Sequence, residues 1–270
     1  MQIDPLFDIS QQTVIVTGVA GQLGEQYAQV FLSRGARVSG VDLKASAVTE
    51  KLQKDFPETF ALYEADIAQK QKLETVQQQM LADGRIPTVL INNAALDSPP
   101  SALPEENGPF ETYPETSWDK VLDVNLKGTY LCCQVFGGWM AQEECGSIVN
   151  VASIYGVVSP DQNIYQYRRD RGEDFYKPVA YSVSKSGLLN LTRYLATYWA
   201  RQNVRVNTLT IAGVFNHQDD DFLSNYCGRI PIGRMADPDE YNGAMIFLAS
   251  EASKYMTGSN LVVDGGWTAI

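Results

Sequence analysis

The sequence predicts an α/β fold: one domain built on a doubly wound parallel sheet of about seven strands with helices on both faces. Three observations predict it. Short apolar, β-branched runs alternate along the whole chain with stretches of helical length and period. A strand, a glycine turn, a helix and a second strand follow one another from Thr13 to Val41, which is a βαβ unit. The 270 residues, 44% hydrophobic and 20% charged, suffice for one large core, and no linker, repeat or low-complexity segment divides 1–270.

In order, Thr13 to Thr17 is the first strand and leads into Gly18-Val-Ala-Gly21-Gln-Leu-Gly24. An amphipathic helix from Glu25 to Ser33 and a strand from Arg37 to Val41 complete the unit. Glycines there permit a tight turn, close approach of a pyrophosphate to the backbone, and close packing of helix on strand. Asp42 ends the second strand, where a carboxylate accepts hydrogen bonds from an adenosine ribose and repels a 2′-phosphate. The pattern therefore predicts NAD(H) over NADP(H), with Lys44 the one nearby feature that softens the preference.

Helices follow at 45–56 and 69–82, separated by a strand from Phe60 to Glu64 that leads to Asp66-Ile67. Thr88 to Ile91 is a buried strand entering Asn92-Asn93-Ala94-Ala95. A Pro-rich acidic loop (96–115) precedes a long helix, 116–141, with Ser117 as its N-cap and Asn125 in its early part. The strand Ser147 to Val151 leads to Ser153. The pattern breaks at 159–178, an aromatic and charged segment, before a helix from Tyr181 to about Arg201. A strand from Val204 to Leu209, a loop at 214–234, a helix at 238–250 and a strand from Asn260 to Val263 finish the chain.

Composition excludes several function classes. A net charge of −11 without a Lys/Arg block argues against nucleic acid. The apolar runs are far shorter than a membrane span. The N-terminus MQIDPLFDIS lacks the features of a secretory signal. Cys132, Cys133, Cys145 and Cys227 have no CxxC spacing and read as reduced thiols of a cytoplasmic protein. His217, the only histidine, rules out a multi-His metal site and reads as a loop residue, so no metal is expected.

The chemistry points to Tyr181-Ser-Val-Ser-Lys185. Tyr and Lys at i and i+4 share a helix face, and a cation held there favours ionisation of a phenol whose ordinary pKa is about 10. A Tyr tuned that way exchanges a proton with a substrate oxygen near neutral pH.

Together with D-I at Asp66, N-N-A-A from Asn92, V-N-L-K-G around Asn125, I-V-N-V-A-S ending at Ser153 and the terminal T-G-S-N-L-V-V-D-G-G, these motifs resemble the short-chain dehydrogenase/reductase family over nearly the whole chain. The resemblance implies a Rossmann fold in which Gly18, Gln22, Leu23 and Gly24 hold the pyrophosphate. It implies Asp42 on the adenosine ribose, Asp66 and Ile67 at the adenine, Asn93 at the cofactor ribose and Val214 at the carboxamide. Tyr181 is then the general acid/base, and Lys185 lowers its pKa and grips the nicotinamide ribose. Ser153 orients the substrate and Asn125 anchors a relay water. A homodimer or homotetramer is also implied.

Gln22 stands where that family usually has Gly, and Ala95 and Ala212 replace Gly and Pro. The larger departure is the gap of 28 positions between Ser153 and Tyr181, about twice the usual one. Segments 96–115, 159–178 and 214–234 are expected to shape the substrate region. Arg168, Arg169 and Arg171 suit an anionic group, although Asp161, Asp170, Glu173 and Asp174 lie beside them as alternative partners. The expectation is an NAD(H)-dependent interconversion of a secondary alcohol and a ketone on a polar or anionic sugar-like substrate. A 3-oxoacyl reductase is the alternative within the class, and a non-catalytic dinucleotide-binding regulator the alternative outside it.

Overall fold

The computed structural model describes residues 4–97 and 104–270. Its seven strands form one parallel sheet in the order β3-β2-β1-β4-β5-β6-β7. They are β1 (Thr13–Thr17), β2 (Arg37–Asp42), β3 (Phe60–Glu64), β4 (Val89–Asn92), β5 (Gly146–Ser153), β6 (Val204–Ile211) and β7 (Asn260–Val263). The order reverses between β1 and β4, and a crevice opens at the carboxyl ends of strands on either side of such a switch.

Both faces of the sheet are covered, so the central strands are apolar throughout rather than alternating. Val14 and Val16 face one way, toward Tyr27, Phe31, Met245 and Leu248; Ile15 faces the other, with Leu73, Met80, Phe136 and Trp139. A third, smaller cluster lies beyond the strand ends and joins Tyr155, Ile164, Tyr165, Tyr226, Met235 and Trp267. It is built largely from the irregular segments.

The helices are placed as the periodicity predicts, with shifted ends. The first begins at Gln22 rather than Glu25 and runs to Ser33. Ser46 and Thr49 form a reciprocal capping box that starts the next helix, Ala47–Asp55. The helix predicted at 116–141 spans 115–142, interrupted by two π turns at Asp123–Gly128 and Cys133–Gly137. Ser117 is not its N-cap. Pro114 takes that position, and the Ser117 hydroxyl instead lies 3.2 Å from a Glu106 carboxylate oxygen. Pro enters a helix well at its start, where the missing N–H costs nothing. The Tyr181 helix is Val179–Tyr198, and the helix expected at 238–250 is Asn242–Ala249. Two of the expected loops hold helices of their own, Gln166–Asp170 within 159–178 and Asp220–Cys227 within 214–234. Pro99 and Pro100, part of the segment 96–115, lie outside the described residues.

Gly24 sets how closely the first helix approaches β1. A Cβ there would lie 2.0 Å from the Gly18 carbonyl oxygen and 2.8 Å from Val19 Cα, both backbone atoms that cannot yield. At Gly138, in the long helix, an added Cβ meets nothing within 4 Å. Gly24→Ala is therefore expected to lower stability by at least ~2 kcal/mol, and Gly138→Ala to raise it by about 0.5–1 kcal/mol. Urea unfolding of the two variants beside the parent checks both signs.

Candidate active site

A single cavity of about 1290 Å³ runs across the carboxyl ends of the strands, from Asp66 and Ile67 at one end to Tyr226 and Met235 at the other. That exceeds the roughly 300–1,000 Å³ of a pocket for one small ligand. Of the residues singled out from sequence, Gly18, Gln22, Leu23, Asp42, Asp66, Ile67, Asn93, Ser153, Tyr181 and Val214 line it. Gly24, Asn125 and Lys185 do not; they stand behind the lining and hold it in place.

At the glycine turn, Asp42 accepts from Ala20 N at 2.9 Å and from Leu43 N at 2.8 Å, so one carboxylate ties the turn to the end of β2. Asn93 donates to the carbonyls of Thr17 and Gly18 at 3.1 and 3.2 Å, fastening β4 to the same turn. The helix beginning at Gln22 has Gly21 at its cap and no side-chain cap bond, which leaves its first N–H groups facing the cavity's anion-sized end. Gln22, where a glycine was expected, extends its side-chain amide to the Phe215 carbonyl at 2.8 Å and straps the turn to the loop after β6. Asp66 accepts from Ala68 N and Gln69 Nε2, which fixes its carboxylate beside Ile67. These groups fit a dinucleotide: an uncapped helix end and a glycine turn for phosphate, a carboxylate at the end of β2 for a ribose diol, and an apolar wall for a base.

At the other end, Ser153 closes β5 and Tyr181 sits in the first turn of its helix; both line the cavity, with the Ser153 hydroxyl near enough to act on the Tyr181 phenol. The 28-residue gap is thus closed in space. Ser153 Oγ also accepts from Tyr155 N at 3.2 Å, which aims it. Lys185 is 4% exposed, donates to the Val151 carbonyl at 2.8 Å and lies 5.9 Å from the Tyr181 ring centre. Asn125 spends its amide on structure: it donates to Leu96 O (2.9 Å) and Ser184 Oγ (3.0 Å) and accepts from Leu96 N (2.7 Å). It staples the chain after β4 to the Tyr181 helix from within the first π turn.

The electrostatics differ from the simple Tyr–Lys expectation. Burial pushes the Tyr181 phenol up rather than down, the Asp97 carboxylate adds to this, and the Ser153 hydroxyl works against it. Desolvation of the ammonium outweighs the pull of Asp97 at Lys185 and brings it down to about 8.

The arginines of 159–178 are engaged within the protein, and none lines the cavity. Arg168 pairs with Glu173 at 2.5 Å over the Phe175 ring. Arg169 donates to the carbonyls of Gln162 and Phe175, and Arg171 pairs with Asp221. The segment gives the cavity Tyr165 and Lys177 instead. Sequence reasoning does not single out Lys177, Asp97, Tyr155 or Tyr226, all of which line the cavity together with Tyr181. One signal was available for Lys177: it precedes Tyr181 by the same four positions by which Lys185 follows it. His217 is an exposed loop residue at positive φ, packed on Phe215 and outside the cavity lining.

Lys185 carries a stability consequence. Its folded pKa of about 8 lies below its ordinary 10.5, so between those values the unfolded chain binds the extra proton and stability rises with pH. Below about pH 8 both states are protonated and the whole penalty, ~3 kcal/mol, is felt. Lys185→Met is expected to raise Tm at pH 7 by roughly 5 °C and to flatten the rise in Tm between pH 8 and 10. Scanning calorimetry across that range checks both, and an unchanged pH dependence would contradict the burial argument.

A family model described as enoyl-(acyl carrier protein) reductase matches residues 18–268. The chain is 32% identical to an NAD-dependent glycerol dehydrogenase of Listeria innocua, covering 98% of this chain and 97% of that one. It is 31% identical to a D-threitol dehydrogenase of Mycolicibacterium smegmatis, covering 99% and 97%. Among solved structures, a short-chain dehydrogenase from Leptospira borgpetersenii with bound NAD+ superposes with a TM-score of 0.86 at 32% identity, covering 99% of this chain and 97% of that one. With the switch-point cavity and the Ser153–Tyr181 pair in place, these similarities make the chain a member of the short-chain dehydrogenase/reductase family, an oxidoreductase acting on CH–OH groups.

Proposed function

We propose that this chain is an NAD(H)-dependent dehydrogenase/reductase that interconverts a secondary alcohol and a ketone in a polyhydroxylated, sugar-like molecule. The observation that carries the reading is the juxtaposed Ser153–Tyr181 pair at the tyrosine-lined end of a cavity whose other end is a glycine turn with Asp42 beside it. Bound in that cavity, a nicotinamide dinucleotide supplies the hydride acceptor or donor. Ser153 holds the substrate oxygen, and Tyr181 passes the proton to or from it. Lys185, on the same helix face, provides a cation that offsets the negative charge on an ionised Tyr181. Asn125 fixes the spacing between the Tyr181 helix and the chain after β4 and is the proposed anchor of a relay water, through its backbone or a neighbouring group. Three sets of residues are proposed for the cofactor. Gly18, Gln22, Leu23 and Gly24 form the pyrophosphate turn. Asp66 and Ile67 take the adenine, and Asn93 and Val214 the nicotinamide half.

The sugar-like substrate is supported by Asp97, Lys177 and the tyrosines in the lining and by the named activities of the relatives. Asp42 supports NAD(H): a carboxylate at the end of β2 in the cavity lining would repel the 2′-phosphate of a ribose bound beside it.

Three experiments test the reading. A panel of alditols, ketoses and 3-oxoacyl thioesters, each with NADH or NADPH in the matching direction, is expected to favour polyols or their ketones with NAD(H). A clear preference for acyl thioesters would overturn the sugar reading, and one for NADPH the Asp42 reading. Asp42→Ser is expected to raise the NADPH/NADH ratio of kcat/KM at least tenfold. Tyr181→Phe is expected to lower turnover by about 10²–10⁴-fold, the usual worth of a general acid/base, with NADH binding retained by fluorescence titration. A variant as active as its parent, or one that no longer binds NADH, contradicts the assigned role.

A further inference from the structure

The substrate end of the cavity contains an ion pair. Lys177, its side chain only 10% exposed, donates to Asp97 Oδ1 at 2.5 Å, and its ammonium lies 4.9 Å from the centre of the Tyr181 ring. Both residues line the cavity beside Tyr155 and Tyr165. The pair is therefore within a side chain's length of the proposed proton-transfer hydroxyl.

Lys177 is held from both sides. Its N–H donates to Gln162 Oε1 at 2.9 Å, and its carbonyl accepts from Gln162 Nε2 at 3.1 Å. The carbonyl of Gln162 is in turn gripped by Arg169 at 2.7 Å. Pro178 follows directly and caps the Tyr181 helix, so Lys177 is fixed relative to the reacting end of that helix. Arg169, one of the three arginines of the insert, thus braces the backbone that presents Lys177.

We propose that Lys177 and Asp97 contact the substrate directly and select an uncharged polyol over a sugar acid or sugar phosphate. The inference rests on the polyol reading above and deepens it. An ammonium has three donors, and one is spent on Asp97. The pair thus offers donors to neighbouring hydroxyl groups while adding no net charge. An anionic substrate would meet a cation already neutralised and a carboxylate that repels it. The three arginines that might have served it are committed elsewhere.

The test is the ratio of kcat/KM for a matched pair of substrates, an alditol and the aldonate of the same chain length, with NAD and the full chain. Asp97 also influences Tyr181, but any such change acts on both substrates, so the ratio isolates recognition. The parent is expected to favour the alditol at least tenfold. Asp97→Asn, which unmasks the ammonium, is expected to shift the ratio toward the aldonate at least tenfold. Lys177→Met is expected to raise KM for the alditol at least fivefold without that shift and with NADH binding unchanged, and Lys177→Arg to recover part of the loss. A parent that prefers the aldonate, or ratios within twofold of the parent in Asp97→Asn and Lys177→Met alike, overturns the proposal. In both cases the polyol reading stands if the alditol is turned over. Failure of the parent to turn over either substrate overturns that reading, and this inference with it.

Discussion

The meeting of Ser153 and Tyr181 in one cavity constrains the rest of the molecule. Ser153 is the last residue of β5, and Tyr181 lies in the first turn of the helix that follows the insert. The chain between them has to leave and return to nearly the same point. It does so by folding into a knot of side chains that also fastens the other irregular segments. Tyr176 N donates to the Asn107 carbonyl at 2.7 Å, Tyr167 to Asp219 at 2.9 Å, and Asn225 to the Ile164 carbonyl at 3.2 Å. Arg171–Asp221 and Arg229–Asp161 add ion pairs across the same seam. Exposed pairs contribute little each, about 0–1 kcal/mol, so the apolar cluster of Ile164, Tyr165, Tyr226 and Trp267 is what gives this cap its cohesion.

The same site concentrates unfavourable electrostatics. Lys185 and Tyr181 both lose hydration, and the Lys ammonium recovers part of it from a single backbone carbonyl. Such groups persist because the surrounding structure over-determines them. The sheet holds Val151, the long helix holds Asn125, and Asn125 holds the Tyr181 helix through Ser184. The proposed chemistry and stability pull in opposite directions at Lys185, a common trade at reacting centres.

The framework was legible in the sequence because strand and helix periods are local. All seven strands and the βαβ fingerprint follow from patterns of a few residues, as does the switch-point cavity once the strand order is known. Helix ends were less legible: Ser117 carries the chemistry of an N-cap, but Pro114 starts the helix three residues earlier. The helix Asp220–Cys227 did announce itself, through Asp219 at its cap and two acidic residues in its first turn, yet it sat in a segment that reads as a loop. The partners of Arg168, Arg169 and Arg171 were illegible for a different reason. Composition says which acids are near in sequence, whereas Arg171 found Asp221, fifty positions away. Lys177 and Asp97 belong to the same class, since only the fold brings them together.

Long sequence separation also orders events in time. Lys177 meets Asp97 across 80 positions, Tyr167 meets Asp219 across 52 and Asn225 meets Ile164 across 61. Each of these closures is entropically expensive until β4, β5 and β6 have already brought the segments near one another. The cap therefore assembles late, on a sheet whose pairing is already complete. The ion pairs that fasten it lie at the surface, where each contributes little. The segments proposed to shape the substrate region are thus expected to assemble last and to open first, on a sheet that outlasts them.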